Sequence, residues 1–211
     1  MFESFLARYA ADDQSVIAPW SGAALSAIPD LAAITGRWGG ASFNSGLYRV
    51  HTESSSRSAT AALKPYLGEA WNDAIAFAFD WLGRNFAVSP RLWSAQNPLV
   101  YLVDLGEGAA FELPASPADL HDRELVEYAD DVVAANWFSQ WRAAHNGRSL
   151  EFTQCVGFRR PLFLGGTDGD DNLEVIDVDV YWSLTSQLYG KTKDLPVGTS
   201  VAGVTIEPES L

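Results

Sequence analysis

The stretch Gly39-Gly40-Ala41-Ser42-Phe43-Asn44-Ser45-Gly46-Leu47-Tyr48-Arg49-Val50-His51 decides the fold. Its first half is built from turn formers. Its second half, Leu47 to His51, alternates large and polar side chains as a half-buried strand does. Just upstream, Leu31, Ile34 and Trp38 recur at helical spacing behind Pro29, a residue suited to a first helical turn. Gly39-Gly40 then ends that helix, because glycine accepts the left-handed cap conformation.

Working outward, Phe2, Phe5, Leu6 and Tyr9 share one face of a short N-terminal helix, and Ala10 to Ser21 reads as a loop. Downstream, Thr52 to Thr60 is a loop or a helix start. Ala61 to Trp71 is helical, with Pro65 arguing for a break. Ala74 to Leu82 reads as a strand with Phe77, Phe79 and Trp81 on one face and the small Ala76 and Ala78 on the other. Gly83-Arg84 turns it into a partner strand, Asn85 to Val88. Leu99 to Val103 is a further strand, and Gly106-Glu107-Gly108 turns it into Ala109 to Leu113.

Ser116, Pro117 and Asp119 open a helix running towards Tyr128, with cap, first-turn proline and acid in their expected places. Asp130-Asp131 precede a second helix, Val132 to His145, which Asn146-Gly147 stops. A short strand is expected within 149–158, another over Pro161 to Gly166, and alternating apolar residues over Leu173 to Ile176. A helix over Asp177 to Leu188 would align Val180, Leu184 and Leu188. Val201 to Ile206 reads as a closing strand. Together these segments predict an α+β fold: a compact antiparallel or mixed sheet flanked by helices.

The chain has 211 residues, 47% hydrophobic, with eight Trp, eleven Phe and seven Tyr, enough for an aromatic-rich core. One cysteine, Cys155, excludes an internal disulfide framework. The N-terminus does not read as a secretory signal, and no window has the length of a membrane helix, so a cytoplasmic location is expected. The net charge of −13 is uneven. Residues 1–100 carry seven Lys/Arg against eight Asp/Glu, whereas residues 101–211 carry seven against nineteen. Such a field repels nucleic-acid phosphates and anionic lipid and draws in a basic partner.

No catalytic signature appears. His51, His121 and His145 lack the mutual spacing of metal ligands, and His121 beside Asp122 and Glu124 reads as a helix-surface arrangement. Cys155 lies between apolar flanks with no nearby histidine to activate it. Asp168-Gly169-Asp170-Asp171 fails the EF-hand pattern, since the sixth residue is Leu173 and the twelfth Asp179. The glycine-rich stretch is neither a P-loop nor a dinucleotide fingerprint, and there is no Gly-x-Ser-x-Gly elbow. No cofactor is expected.

The run from Ile28-Pro29-Asp30-Leu31 through Trp38-Gly39-Gly40 to His51 resembles the GAD-like N-terminal part of a bacterial family of immunity proteins. Phe79-Asp80-Trp81-Leu82-Gly83-Arg84-Asn85-Phe86-Ala87 and Asp119-Leu120-His121 with Leu125-Val126-Glu127-Tyr128 extend the likeness. Pro161-Leu162-Phe163-Leu164-Gly165-Gly166, Asn172 to Asp177, Tyr181-Trp182, Leu195-Pro196 and Gly198-Thr199 are similar to that family's C-terminal immunity domain. The resemblance covers about Leu25 to Ile206. It implies a GAD-like α+β part over 1–114 and an immunity part over 115–211, packed as one body. It also implies a non-enzymatic protein that neutralises a toxin delivered by type VI secretion, a basic nuclease among them, by direct contact.

On this reading the partner-binding residues are Asp168, Asp170, Asp171 and Glu174, with Asp130 and Asp131, and Trp182 or Trp93 as aromatic anchors. Two alternatives remain: a small-molecule-binding domain or enzyme whose aromatic strand faces line a pocket, and a scaffold within a larger assembly.

Overall fold

The computed structural model describes residues 1–13, 15–196 and 198–199. The fold is α+β. Short helices α1 (Glu3–Arg8) and α2 (Ala23–Ser26) lead into α3 (Pro29–Trp38). A six-stranded sheet follows: β1 (Ser42–Phe43), β2 (Tyr48–Val50), β3 (Ile75–Asp80), β4 (Asn85–Val88), β5 (Val100–Asp104) and β6 (Ala109–Leu113). Every neighbouring pair is antiparallel, and the strands lie in sequence order. Helix α4 (Glu53–Leu67) crosses between β2 and β3. The expected strands at 47–51, 74–82, 85–88, 99–103 and 109–113 all take their places in this meander. The turn-rich start of the Gly39–His51 stretch adds β1, a strand too short to show a periodicity.

After the sheet come α5 (Pro117–Asp119), one π turn (Leu120–Glu124) and α6 (Leu125–Glu127), then α7 (Ala129–Val133) and α8 (Ala135–Ala144). Ser116 caps α5 as expected, accepting from the Asp119 amide. A two-stranded antiparallel ribbon, β7 (Gln154–Phe158) with β8 (Leu173–Asp177), precedes the last described helix, α9 (Val178–Thr192).

Both faces of the main sheet are covered, so its strands read as nearly continuous apolar runs. On one face Tyr48, Val50, Phe77, Phe86, Val88, Val100 and Leu102 pack against Phe5 of α1, Leu31, Ile34 and Trp38 of α3, and the helices between 117 and 144. On the other, Ala76, Phe79, Ala87 and Val103 pack against α4, Cys155 and the Tyr181-Trp182 pair of α9.

Several sequence expectations change in three dimensions. Pro65 does not break the second half of α4 from the first; one helix runs through it, capped by a Thr52–Ser55 box. A register shift between Ala76 and Ala78 turns Phe79 away from Phe77 and Trp81, so the three rings do not share a face. All three are fully buried, which removes them as pocket lining. The expected helix 132–145 is split by Ala134, which takes φ +50°. Pro161 to Gly166 forms a 3-10 turn over Leu162–Leu164 instead of a strand. In α9 the buried face is Val178, Tyr181, Trp182, Thr185 and Ser186, and Val180 faces solvent. The expected strand at 201–206 lies outside the described residues.

Arg49 breaks the expected alternation most sharply, since it is fully buried. Its guanidinium lies 4.3 Å from the Phe79 ring centroid. It donates to the carbonyls of Glu151 (3.1 Å), Gln154 and Asp80 (2.9 Å). A cation in the sheet thus holds the chain entering β7 against β2 and β3. Burial lowers its pKa to about 10, which leaves it charged at neutral pH.

His121 is likewise buried, not on a helix surface. Its Nδ1–H donates to the Pro117 carbonyl (2.7 Å), which leaves Nε2 to accept from the Tyr48 hydroxyl (3.1 Å). Phe5 and Trp38 enclose the ring, with centroids at 4.9 and 5.7 Å. The neighbouring Asp122 accepts from the amides of Phe2 (2.6 Å) and Phe5 (3.3 Å), satisfying first-turn donors of α1 that have no local cap.

Candidate partner-binding groove

The β3–β4 turn builds the floor of a surface groove. Asp80 accepts from the amides of Leu82 and Arg84 (both 3.0 Å) and from Arg84 Nε (2.7 Å). Arg84 in turn donates to the Val132 carbonyl (3.1 Å), and Trp81 Nε1 donates to that of Val133 (2.9 Å). The turn therefore fixes α7 directly over the sheet. Gly83 makes this possible at φ +74°: a Cβ there would sit 3.1 Å from the Tyr181 ring and 3.2 Å from Cys155 Sγ. Trp182 Nε1 donates to the Gly83 carbonyl (2.8 Å), locking the same turn from the opposite side.

Between α7 and the β5–β6 hairpin lies a groove of about 460 Å³, lined by Leu102, Phe111, Leu113, Tyr128 and Val132, with Arg84, Glu107, Glu124 and Asp131 around them. Phe111 and Tyr128 are 43% and 48% exposed, which is unusual for large rings in a chain with so well filled a core. Gly106 sets the height of the Glu107 rim, because a Cβ on it would lie 2.5 Å from the Phe158 ring.

The rim is strongly acidic. Burial raises the Glu107 pKa, and repulsion from Asp104 and Asp168 adds to it. Asp104 is raised by burial in the same way, against the attraction of Arg84, with Asp168 again adding repulsion. Burial opposes the charge of Arg84, but Asp80 and Asp104 outweigh it and keep its pKa high. Three carboxylates, Glu107, Glu124 and Asp131, thus line the groove with one guanidinium, Arg84, while Asp104 and Asp168 add to the negative field felt by Glu107.

The six acids singled out from the sequence divide. Asp131 lines the groove, and Asp168 contributes to its field. Asp130 instead accepts from the Asn136 amide (2.9 Å) and side chain (2.8 Å) at the start of α8. Asp170 accepts from Trp137 Nε1 (2.8 Å), Asp171 from Thr167 Oγ1 (3.5 Å), and Glu174 lies 3.6 Å from Arg159. Of the two proposed aromatic anchors, Trp182 is buried, and Trp93 is half-buried and does not line the groove.

The residues missed by sequence reasoning are Glu107, Phe111 and Tyr128; Glu124 belongs to the acidic 116–131 helix region that the sequence points to. One signal for Phe111 was present: in Ala109 to Leu113 the apolar residues alternate around Glu112, which marks a strand with one apolar face. Among the described residues, no three His, Cys, Asp or Glu side chains gather as metal ligands would. None of the described helices is long and apolar enough to cross a membrane.

No protein-family model matches this chain, and no curated protein matches it. Among solved structures, it is similar to the crystal structure of Atu4351 from Agrobacterium tumefaciens, with a TM-score of 0.58 over 89% of each chain at 17% identity. At that identity the likeness is one of fold.

Proposed function

We propose that this chain is an immunity protein. It binds a cognate secreted bacterial toxin, a basic nuclease, and neutralises it in the cytoplasm by direct contact rather than by catalysis. The observation that supports this reading best is the exposed apolar groove ringed by carboxylates. Apolar side chains supply contact area, while the acids steer a basic surface into register and exclude phosphate from it. The motif resemblance along the chain points the same way. The acidic second half of the chain supplies the rim acids: Glu107, Glu124 and Asp131 all belong to it.

The test is co-expression with the product of the gene beside its own, followed by affinity capture and a toxicity rescue assay. Capture together with rescue is the expected outcome. Association should slow as salt rises from about 0.1 M to 1 M, where the screening length falls from about 10 Å to about 3 Å. No capture and no rescue would remove this reading and leave the small-molecule alternative to be tested by a ligand screen at the groove.

A further inference from the structure

The two ends of the main sheet are finished differently. At β1, the N-terminal segment closes the edge: Ala11 bridges to Phe43, the Asp12 amide donates to the Ser42 carbonyl (2.8 Å), and the Asn44 amide donates to that of Ala10 (2.9 Å). At β6, no strand among the described residues pairs with the outer edge. The five residues Ala109 to Leu113 keep an unbroken register with β5 and contain no proline or lysine. Such an edge is a template for another strand unless something protects it.

This edge is also the wall of the groove. Phe111 and Leu113, two residues apart on one face of β6, both line it. A strand added beside β6 would therefore place every second side chain over the apolar floor or against the acidic rim.

Resting on the immunity reading above, we propose that the outer edge of β6 accepts an extended, basic segment of the toxin as a seventh strand. Lysine or arginine side chains of that segment meet Glu107, Asp131 and Asp168, and an apolar one lies against Phe111 and Tyr128. Main-chain hydrogen bonds along about 17 Å of strand supply affinity, and the alternating side chains supply choice of partner. A second copy of this chain fits the edge poorly, because pairing two β6 strands would bring two acidic rims together.

The experiment is amide hydrogen exchange on the chain alone and in complex with the product of the adjacent gene, with affinities for three variants. The expected result is new protection across residues 109–113, with Phe111→Lys and Asp131→Lys each weakening binding by about 30-fold or more. Asp13→Lys, near the sealed end of the sheet, should leave affinity unchanged. Phe111 and Asp131 are exposed, and a circular dichroism spectrum and urea midpoint matching wild type establish that each variant is folded. Binding that leaves 109–113 unprotected, or that survives both variants, overturns the strand-addition inference while the toxin-binding reading stands. Protection that appears without partner and grows with concentration assigns the edge to a second copy and overturns it too. Absence of any binding removes both.

Discussion

Acid should unfold this protein through two histidines. His51 and His121 are fully buried and neutral. His51 Nε2–H donates to Asn85 Oδ1 (3.0 Å), and its Nδ1 faces the Ser55 hydroxyl (3.0 Å). Burial lowers the pKa of His51 to about 3, with Arg49 adding repulsion. Burial likewise lowers that of His121 to about 4. In the unfolded chain both return to about 6.5. Below that pH the unfolded state binds more protons than the folded one, so stability is complete above pH 6.5 and falls as pH drops towards 4.

Each histidine then costs up to about 1.4 kcal/mol per pH unit, or about 2 kcal/mol on going from pH 7 to pH 5, and the pair about 4 kcal/mol. The raised carboxyls of Asp104 and Glu107 act in the opposite sense at lower pH, where protonation relieves their repulsion. Urea titrations at pH 7 and pH 5 read the difference. The His121→Phe variant isolates one term: it keeps an aromatic ring among Phe5, Trp38 and Tyr48 but has no proton to take up. It should lose about 1–3 kcal/mol at pH 7, because the Pro117 carbonyl and Tyr48 hydroxyl lose their partner. Its pH dependence should also flatten by about 2 kcal/mol over the same interval. If the variant shows the same slope as wild type, the buried-histidine argument is refuted.

Gly83→Ala should destabilise by about 1–3 kcal/mol, because the new Cβ meets Tyr181 and Cys155 at an unfavourable positive φ; an unchanged urea midpoint would contradict this. Arg49→Met should cost about 1–3 kcal/mol, since the buried carbonyls of Glu151, Gln154 and Asp80 lose the guanidinium, although those of Glu151 and Asp80 keep the Gln154 and Gly83 amides; its calorimetric melting temperature gives the answer. Cys155 should be inert to a thiol reagent in buffer and react only as the chain unfolds, because burial both shields the thiol and raises its pKa; rapid modification of the native protein would show the site to be open.

Much of the fold was legible because its signals are local. Pro29 with Leu31, Ile34 and Trp38, and Ser116 with Pro117 and Asp119, carry their start signals and periodicity within one element. The failures share a different cause. Arg49, His51 and His121 look like surface residues in sequence, but carbonyls 31 to 105 residues away accept from the two terminal nitrogens of Arg49, and Tyr48 and Asn85 reach the histidines from strands β2 and β4. The shift that turns Phe79 from Phe77 depends on pairing with β4, and the break at Ala134 sits in a sequence with good helical spacing. The groove was half visible. Asp131 and Asp168 stood out as acids, but their convergence with Glu107, Phe111 and Tyr128 depends on the 80–84 turn holding α7 over the β5–β6 hairpin.

The unequal ends of the sheet also bear on solubility. One end is sealed by the N-terminal segment, with Asp12 accepting from the Ser45 and Gly46 amides. The other is guarded by mutual repulsion of its carboxylates, a guard that weakens with protonation, high salt or neutralising substitutions. Losing it would leave the already exposed Phe111, with Leu113, unguarded on an unbroken edge, the starting point for head-on zippering and precipitation. The acids at 107, 124 and 131 therefore act as a colloidal restraint on this edge whatever else they bind, and neutralising them should lower the concentration at which the folded chain stays dispersed.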